Sequence, residues 1–402
     1  MVGRRLKFMK VSSGFITIIL LCILAGAEVD LFVPSFPQIS KQFQLTPFMV
    51  ELTLSANLIA YCISSLAVGS LGDRYGRKVV MIWGLVVFIL GSILCVIAEQ
   101  FYIIILGRFL QGAGIAAPAI LTYVLVSDIY GRKDQLNVIS ILNGVVTLAM
   151  AFAPILGSYV NLYYSWKGNF IVLLIFGIIC LIMLCLFIKE QHDRELKSRN
   201  LELFVSYLPV LRSGKVIAFT VSFCFLSCPY WIFIGISPIL YMTDFKMSLE
   251  KFGFYQGAMA VAFSTVSISS SYALKIISRK RMFLTGIFLC ALSAIFILFL
   301  GIIESKNPIA ITGALVLLSM GVVLPINILY YEALEIMEKN KGKIAAVILS
   351  SRLIFTAIGL EVAGYFHQGS FKSTAFIMVF SLTVSLTSIM LLIKTKLFDL
   401  DK

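Results

Sequence analysis

The sequence predicts an all-α membrane protein whose twelve transmembrane helices form two six-helix bundles. Three observations carry that expectation. Of 402 residues, 60% are hydrophobic and only 13% are charged, whereas a water-soluble domain carries about 25% charged residues. Apolar stretches long enough to cross a bilayer recur along the whole chain; a hydrocarbon layer about 30 Å thick takes roughly 20 residues of helix. Lys and Arg crowd into alternate connections between those stretches instead of spreading evenly.

In chain order the spans fall at about 13–33, 49–71, 79–97, 101–126, 137–160, 169–188, 215–240, 252–274, 282–303, 308–330, 343–366 and 374–393. Basic residues before the first, then Phe15 to Leu24 and Ala25-Gly26-Ala27, imitate a cleavable secretory signal. Span 1 reads instead as an uncleaved first helix. Spans 2 and 3 are joined by Gly69-Ser-Leu-Gly-Asp-Arg-Tyr-Gly-Arg-Lys78. Gly72 and Gly76 suit a tight reversal there, and Arg74, Arg77 and Lys78 surround Asp73. After span 6 a polar stretch, 189–213, parts the chain into an N-terminal six-helix bundle (1–188), a cytoplasmic linker (189–214) and a C-terminal six-helix bundle (215–402). Leu274-Lys-Ile-Ile-Ser-Arg-Lys-Arg281 stands between spans 8 and 9 where Leu71-Gly-Asp-Arg-Tyr-Gly-Arg-Lys78 stands in the first half. It keeps the leucine and the cations and loses the aspartate and both glycines. Such a parallel repeat fits two bundles that rock about a site at mid-membrane.

The net charge of +13 is a topology signal rather than a nucleic-acid footprint. With the N-terminus in the cytoplasm, 25 of the 33 basic residues lie on the inner side. Six lie outside: Lys41, Lys167, Lys246, Lys251, Lys306 and Lys372. That bias puts both termini in the cytoplasm. The eight cysteines all fall within spans, and with His192 and His367 they make no familiar metal-ligand spacing. No metal and no cofactor are expected. The spans offer no clustered His, Cys and carboxylate set for an enzyme, and the polar segments are too short for a sensor's output domain.

Ionisable groups inside spans are costly and each needs a reason. Glu28 and Asp30 lie near the outer end of span 1, and Arg108 lies a few residues inside the outer end of span 4. Their depths are comparable, so Asp30 and Arg108 can meet across a central cavity. Two residues apart, Glu28 and Asp30 stand about 200° apart on a helix and cannot face that cavity equally. Asp30 reads as a proton-exchanging carboxylate or as an interfacial one that caps span 1. Arg108 is too deep to reach the headgroups, which leaves function or a structural ion pair. Arg352 and Glu361 in span 11, nine residues apart, stand on opposite faces, and their role stays open.

The spacing G-x-L-x-D-R-x-G-R-K over residues 69–78 resembles the signature between spans 2 and 3 of the major facilitator superfamily of transporters. Asp30-Leu-Phe-Val-Pro34-Ser-Phe-Pro37 is similar to the end of span 1 in bacterial twelve-span drug:proton antiporters, and Arg108-Phe-Leu-Gln-Gly112 resembles their R-x-x-Q-G element, whose arginine is held to take part in proton coupling. Residues 149–158 resemble the span 5 antiporter motif G-x-x-x-G-P-x-x-G-G. They keep Pro154 and Gly157 but carry Ala149, Ala153 and Ser158, and small residues at 149, 153 and 157 still make one smooth packing face. Asp128-Ile-Tyr130, Ser165-Trp166 and Phe252-Gly-Phe-Tyr255 are similar to the bicyclomycin-resistance (Bcr/CflA) group.

The resemblance implies proton-coupled efflux of small drug-like compounds across a bacterial inner membrane by a monomer, with protons, a small-molecule substrate and the bilayer as its partners. It further implies a cavity lined by spans 1, 4, 7 and 10. Tyr230, Trp231, Tyr241 and Tyr330 are the aromatic candidates there, suited to flat or amphipathic molecules. Export or uptake of a native metabolite by the same fold is the alternative.

Overall fold

The computed structural model describes residues 13–129, 132–189, 207–273, 276–337, 341–395 and 397–398. All regular structure among them is helical: α1 (Ser13–Ala27), α2 (Phe36–Phe43), α3 (Pro47–Tyr75), α4 (Arg77–Ile97), α5 (Phe101–Ile129), α6 (Arg132–Phe187), α7 (Leu208–Leu211), α8 (Gly214–Pro238), α9 (Leu249–Ala273), α10 (Arg279–Ile302), α11 (Pro308–Leu334), α12 (Lys341–Phe366) and α13 (Phe371–Lys394). Among the described residues, nine helices are long and apolar enough to cross a membrane. α6 supplies two spans, while α1 is short for a span and α9 is rich in Ser, Thr and Gly. The twelve-span all-α architecture expected from the sequence is the one observed. Tyr130 lies outside the described residues, as do the Asp128 side chain, residues 190–206 of the expected linker and 274–275 of the second-half repeat.

Span 1 is not one helix. α1 stops at Ala27, residues 28–32 form a turn, a 3-10 turn follows at Val33–Ser35, and α2 begins at Phe36. Pro34 and Pro37 explain the break: each lacks an amide hydrogen, and the ring of Pro34 would strike the carbonyl of Asp30 in a continued helix. Glu28 and Asp30 therefore sit on an irregular turn, and the expected 200° separation does not apply to them.

Spans 5 and 6 show the reverse. The sequence suggests a loop between 160 and 169, yet α6 runs on through Ser165, whose φ of 59° and ψ of −178° bend it into arms at 132–164 and 166–187. The amide freed at the bend is not orphaned, because the Trp166 backbone N–H donates to Gln38 Oε1 at 2.9 Å. The Trp166 indole N–H donates to Gln42 Oε1 at 2.6 Å. α2 thus caps the second arm, which meets the requirement that buried backbone donors be paired.

The segment 69–78 departs from the expected loop as well. α3 continues to Tyr75, Gly76 alone breaks it with a φ of 97°, and Arg77 already opens α4. Gly76 meets the need for a left-handed backbone. Gly72 is helical instead, and a methyl there would stand 2.9 Å from Leu121 Cδ2 on α5.

Glycines set the tightest packing inside each half. α4 and α5 meet through Gly91 opposite Gly107 and Gly84 opposite Gly114, where an added Cβ would come within 2.5 to 2.8 Å of the facing carbonyl oxygens. α10 and α11 repeat the device, with Gly286 against Pro325 and the Gly321 carbonyl. Without water to expel, close van der Waals packing of small residues holds such helices together.

Two seams join the halves. In the first, α3 runs antiparallel to α12. Gly364 lies against the Phe48 backbone, Ser55 Oγ donates to the Ala357 carbonyl at 3.4 Å, and the hydroxyls of Ser65 and Ser350 are 3.3 Å apart. In the second, the first arm of α6 meets α9: Gly253 faces Pro154, Ile155 and Ser158, Gly257 faces Ala151 and Ile155, and Ser264 Oγ donates to the Thr147 carbonyl at 3.2 Å.

Candidate transport site

The turn at 28–32 brings Glu28 to Arg108, seven residues into α5. Their side chains form an ion pair at 3.1 Å, with Arg108 fully buried and Glu28 2% exposed. The same Arg108 Nη1 also donates to Gln111 Oε1 at 2.8 Å, and Gln111 Nε2 donates to Ser92 Oγ of α4 at 2.8 Å. Asn57 Nδ2 of α3 donates to the Arg108 carbonyl at 3.2 Å and approaches Glu28 Oε2 at 3.5 Å. The guanidinium lies 4.7 Å from the centre of the Phe32 ring, a cation–π distance. Each polar residue of Arg108-Phe-Leu-Gln-Gly112 is thus engaged. The glycine is needed too, because a methyl at Gly112 would overlap the Asn57 carbonyl oxygen.

This pairing corrects the expected encounter of Asp30 with Arg108. The proline-broken turn presents Glu28 to the arginine and leaves Asp30 elsewhere, 3% exposed and without an ion pair or side-chain hydrogen bond among the described residues. An ion pair and an unpaired acid two residues away therefore share one turn between the halves.

The other expected residues take varied places. Tyr230 is buried, edge-on to Trp231 at 5.7 Å and tilted against Phe263 at 5.7 Å. Tyr330 faces Phe223 at 6.0 Å and stands in the field of Arg352. Tyr241 is taken up by packing: its hydroxyl is 2.8 Å from Thr312 Oγ1 and its ring stacks on Phe245. Gly157 receives the turn of residues 28–32, since a methyl there would overlap the Leu31 carbonyl oxygen. Ala153 is buried, and the Pro154 carbonyl accepts from Ser158 Oγ at 2.8 Å. Gly157 of this segment thus packs on the turn at 28–32, while Ala151, Pro154, Ile155 and Ser158 face α9.

At the 69–78 segment, Asp73 is exposed and stands 3.9 Å from Arg77. Arg77 Nη1 donates to the Val124 carbonyl of α5 at 3.1 Å, and Lys78 Nζ donates to the Cys185 carbonyl of α6 at 2.9 Å. Arg74 lies over the Tyr75 ring at 5.2 Å, and Gly69 borders open space. Among the described residues, the contacts to neighbouring helices are made by the cations, not by the aspartate. No three His, Cys, Asp or Glu side chains among the described residues converge as metal ligands would.

Three residues lay beyond the sequence reading. Asn57 and Ser92 carry no charge and mark nothing on an apolar stretch. Glu51 lies only four residues after Pro47, at a place where a carboxylate reads as interfacial. In the structure it is fully buried, with Gly235 of α8 and Gly364 of α12 packed against it and Glu361 across the seam. Among the described residues, neither Glu51 oxygen and neither Glu361 oxygen has a hydrogen-bond partner. An ionisable residue inside a span was the signal that would have found it.

The sequence profile of the Major Facilitator Superfamily matches residues 18–360. The chain is 26% identical over 268 residues to multidrug resistance protein MdtL of Shigella dysenteriae, covering 66% of this chain and 68% of that protein. The MdtL proteins of several Escherichia coli strains match over the same length at the same identity. Among solved structures, a D-xylose-proton symporter superposes with a TM-score of 0.75 at 12% identity, covering 94% of this chain and 96% of its own. The nucleoside transporter NupG superposes with a TM-score of 0.72 at 12% identity over 94% and 99%. These likenesses are of fold, and together with the profile match they place the chain: it is a multi-pass membrane transporter that belongs to the Major Facilitator Superfamily.

Proposed function

We propose that this transporter exports small drug-like compounds in exchange for protons across a bacterial inner membrane, as a monomer of the bicyclomycin-resistance type. The observation that carries the proposal is the turn at 28–32, which sets the unpaired Asp30 two residues from the buried Glu28–Arg108 pair. A membrane potential supplies about 2.3 kcal/mol per charge per 100 mV, so one inward proton can drive a neutral molecule outward roughly fiftyfold at that voltage. Harvesting it takes a carboxylate that binds a proton from one side and releases it to the other. Asp30 is free to do so, and Glu28 is held by Arg108. MdtL, at 26% identity, is named for multidrug resistance, which supports small-molecule efflux over uptake of a native metabolite.

In this reading the two bundles meet at the linker 189–214, both termini face the cytoplasm, and Asp73 lies on the cytoplasmic side. Reporter fusions after Lys78 and Lys189 should then report cytoplasm and one after Lys246 the outside; an external signal at Lys78 overturns the orientation. The functional test is expression in a drug-hypersensitive host lacking its own pumps. Raised resistance to several unrelated compounds, with substrate-dependent proton release from everted vesicles, is the expected result. Unchanged susceptibility in a well-expressing strain sinks the drug-export reading.

A further inference from the structure

Two arginines lie inside spans, and the structure treats them differently. Arg108 has a carboxylate, an amide and an aromatic face. Arg352 of α12 has no ion pair and no hydrogen bond among the described residues, and its Nε is buried without a partner. Glu361 on the same helix lies nine residues away at the Glu51 end of the seam, and no carboxylate among the described residues pairs with this charge. Tyr61 of α3, Cys224 of α8 and Tyr330 of α11 are the groups within its field.

Arg352 borders a cavity of about 300 Å³ between α3, α5 and α12. Tyr61, Ser65 and Tyr207 line it together with Arg352, and Leu66 and Leu353 supply apolar wall. That is the size and make-up of a small-molecule site: mostly apolar, with a few convergent polar groups. Tyr61 lies about one helical turn from Asn57, whose Nδ2 donates to the Arg108 carbonyl, so the cavity adjoins the site of the Glu28–Arg108 pair.

We infer that this cavity is an anion subsite: it takes the carboxylate or phosphate head of a small amphipathic molecule, with Arg352 as its counter-charge. A guanidinium presents a planar fork of donors that matches such a head two bonds at a time. A neutral or cationic guest would leave the arginine desolvated and unanswered, and a buried polar group without a partner is what makes a site reject an analogue. The apolar wall holds the body of the molecule. The inference rests on the transporter reading only in placing this cavity on the path of the substrate.

Binding, measured without transport, tests it separately from drug export. The purified protein in dodecyl maltoside is titrated with 1-naphthylacetate and with 1-naphthylacetamide, which share a body and differ in charge. The acetate is expected to bind at least tenfold more tightly than the amide. Arg352→Gln should bring that ratio to near one, and Arg352→Lys should leave an intermediate ratio, with folding followed by gel filtration. Should Arg352→Gln not fold, the wild-type ratio and the lysine variant still decide. Equal affinities in the wild type, or an undiminished ratio in Arg352→Gln, overturns the inference. A lipid phosphate could occupy the same site, so the titration is repeated with phosphatidylglycerol added. Competition by the lipid assigns the native occupant to a headgroup and its absence assigns it to a soluble anion; both outcomes uphold the anion subsite. Resistance assays in cells can fail while this binding stands, and the reverse.

Discussion

A guanidinium in a membrane interior is tolerable when its charge is answered, and Glu28 answers Arg108 at 3.1 Å. Removing one member of such a pair strands the other. Glu28→Gln or Arg108→Ala should therefore cost about 3–5 kcal/mol, whereas the neutral double variant Glu28→Gln/Arg108→Gln should recover much of it. Thermal unfolding in detergent at one pH checks this, and a Glu28→Gln protein that melts like the wild type would show that the pair carries no structural load. Asp30 should behave otherwise, because nothing leans on it. Asp30→Asn resembles the permanently protonated acid, so folding, substrate binding and downhill exchange should persist while proton-driven accumulation is lost. If Asp30→Asn still pumps against a gradient and releases protons, the proton site is elsewhere, with Glu28 and Glu361 next to test. Arg108 was legible in the sequence from its depth and from the R-x-x-Q-G spacing. Its partner was not, because choosing between acids two residues apart takes the backbone path that Pro34 and Pro37 impose.

Among the elements, the α3–α4 junction shows how little of a connection need be loop. A single glycine at a φ of 97° turns the chain, and the two cations that follow it are anchored to other helices, Arg77 on Val124 and Lys78 on Cys185. Among the described residues Asp73 makes a single exposed contact, at 3.9 Å to Arg77, worth about 0–1 kcal/mol. Asp73→Asn should accordingly leave melting unchanged, yet it loosens Arg77 on the helix that must move, so turnover should fall more than substrate affinity. Initial export rates and binding isotherms on the same preparation separate the two, and wild-type export would reduce this segment to a topology device. Hydropathy located the spans because burial in lipid constrains composition over about 20 residues. It also placed the break between spans 5 and 6 at 161–168, around Ser165, but did not reveal what holds that bend. There the helix is redirected by one residue and capped from α2 by Gln38 and Gln42, a distant contact with no signal in local composition.

For the whole molecule, the two seams hold the halves together, and rocking of one half on the other must open one end of them at a time. The α3–α12 seam is antiparallel, in one register from Phe48 to Ser55 and shifted by three residues at Ser65. Gly364 meets Phe48, Glu51 lies level with Glu361, Ser55 reaches Ala357, and Ser65 meets Ser350. At the Glu51 end two acids meet without an ion-pair partner among the described residues. At the other end the serine pair is neutral and its oxygens are 3.3 Å apart. A reversible covalent link at Ser65 and Ser350 asks whether that end must part during transport. Paired Ser65→Cys and Ser350→Cys place two sulfurs within bonding reach, and Cys62, one turn from Ser65, is replaced by Ala so that it cannot compete. Oxidation should cross-link the pair in intact membranes and lower export below about a tenth of the reduced rate, since closing a tenfold gap takes ~1.4 kcal/mol and a covalent bond far exceeds that. Reductant should restore export, and each single cysteine variant should be indifferent to oxidant. A protein that is fully cross-linked and still exports at the reduced rate would show that this part of the seam stays closed throughout the cycle and that the halves move about it as a fixed edge.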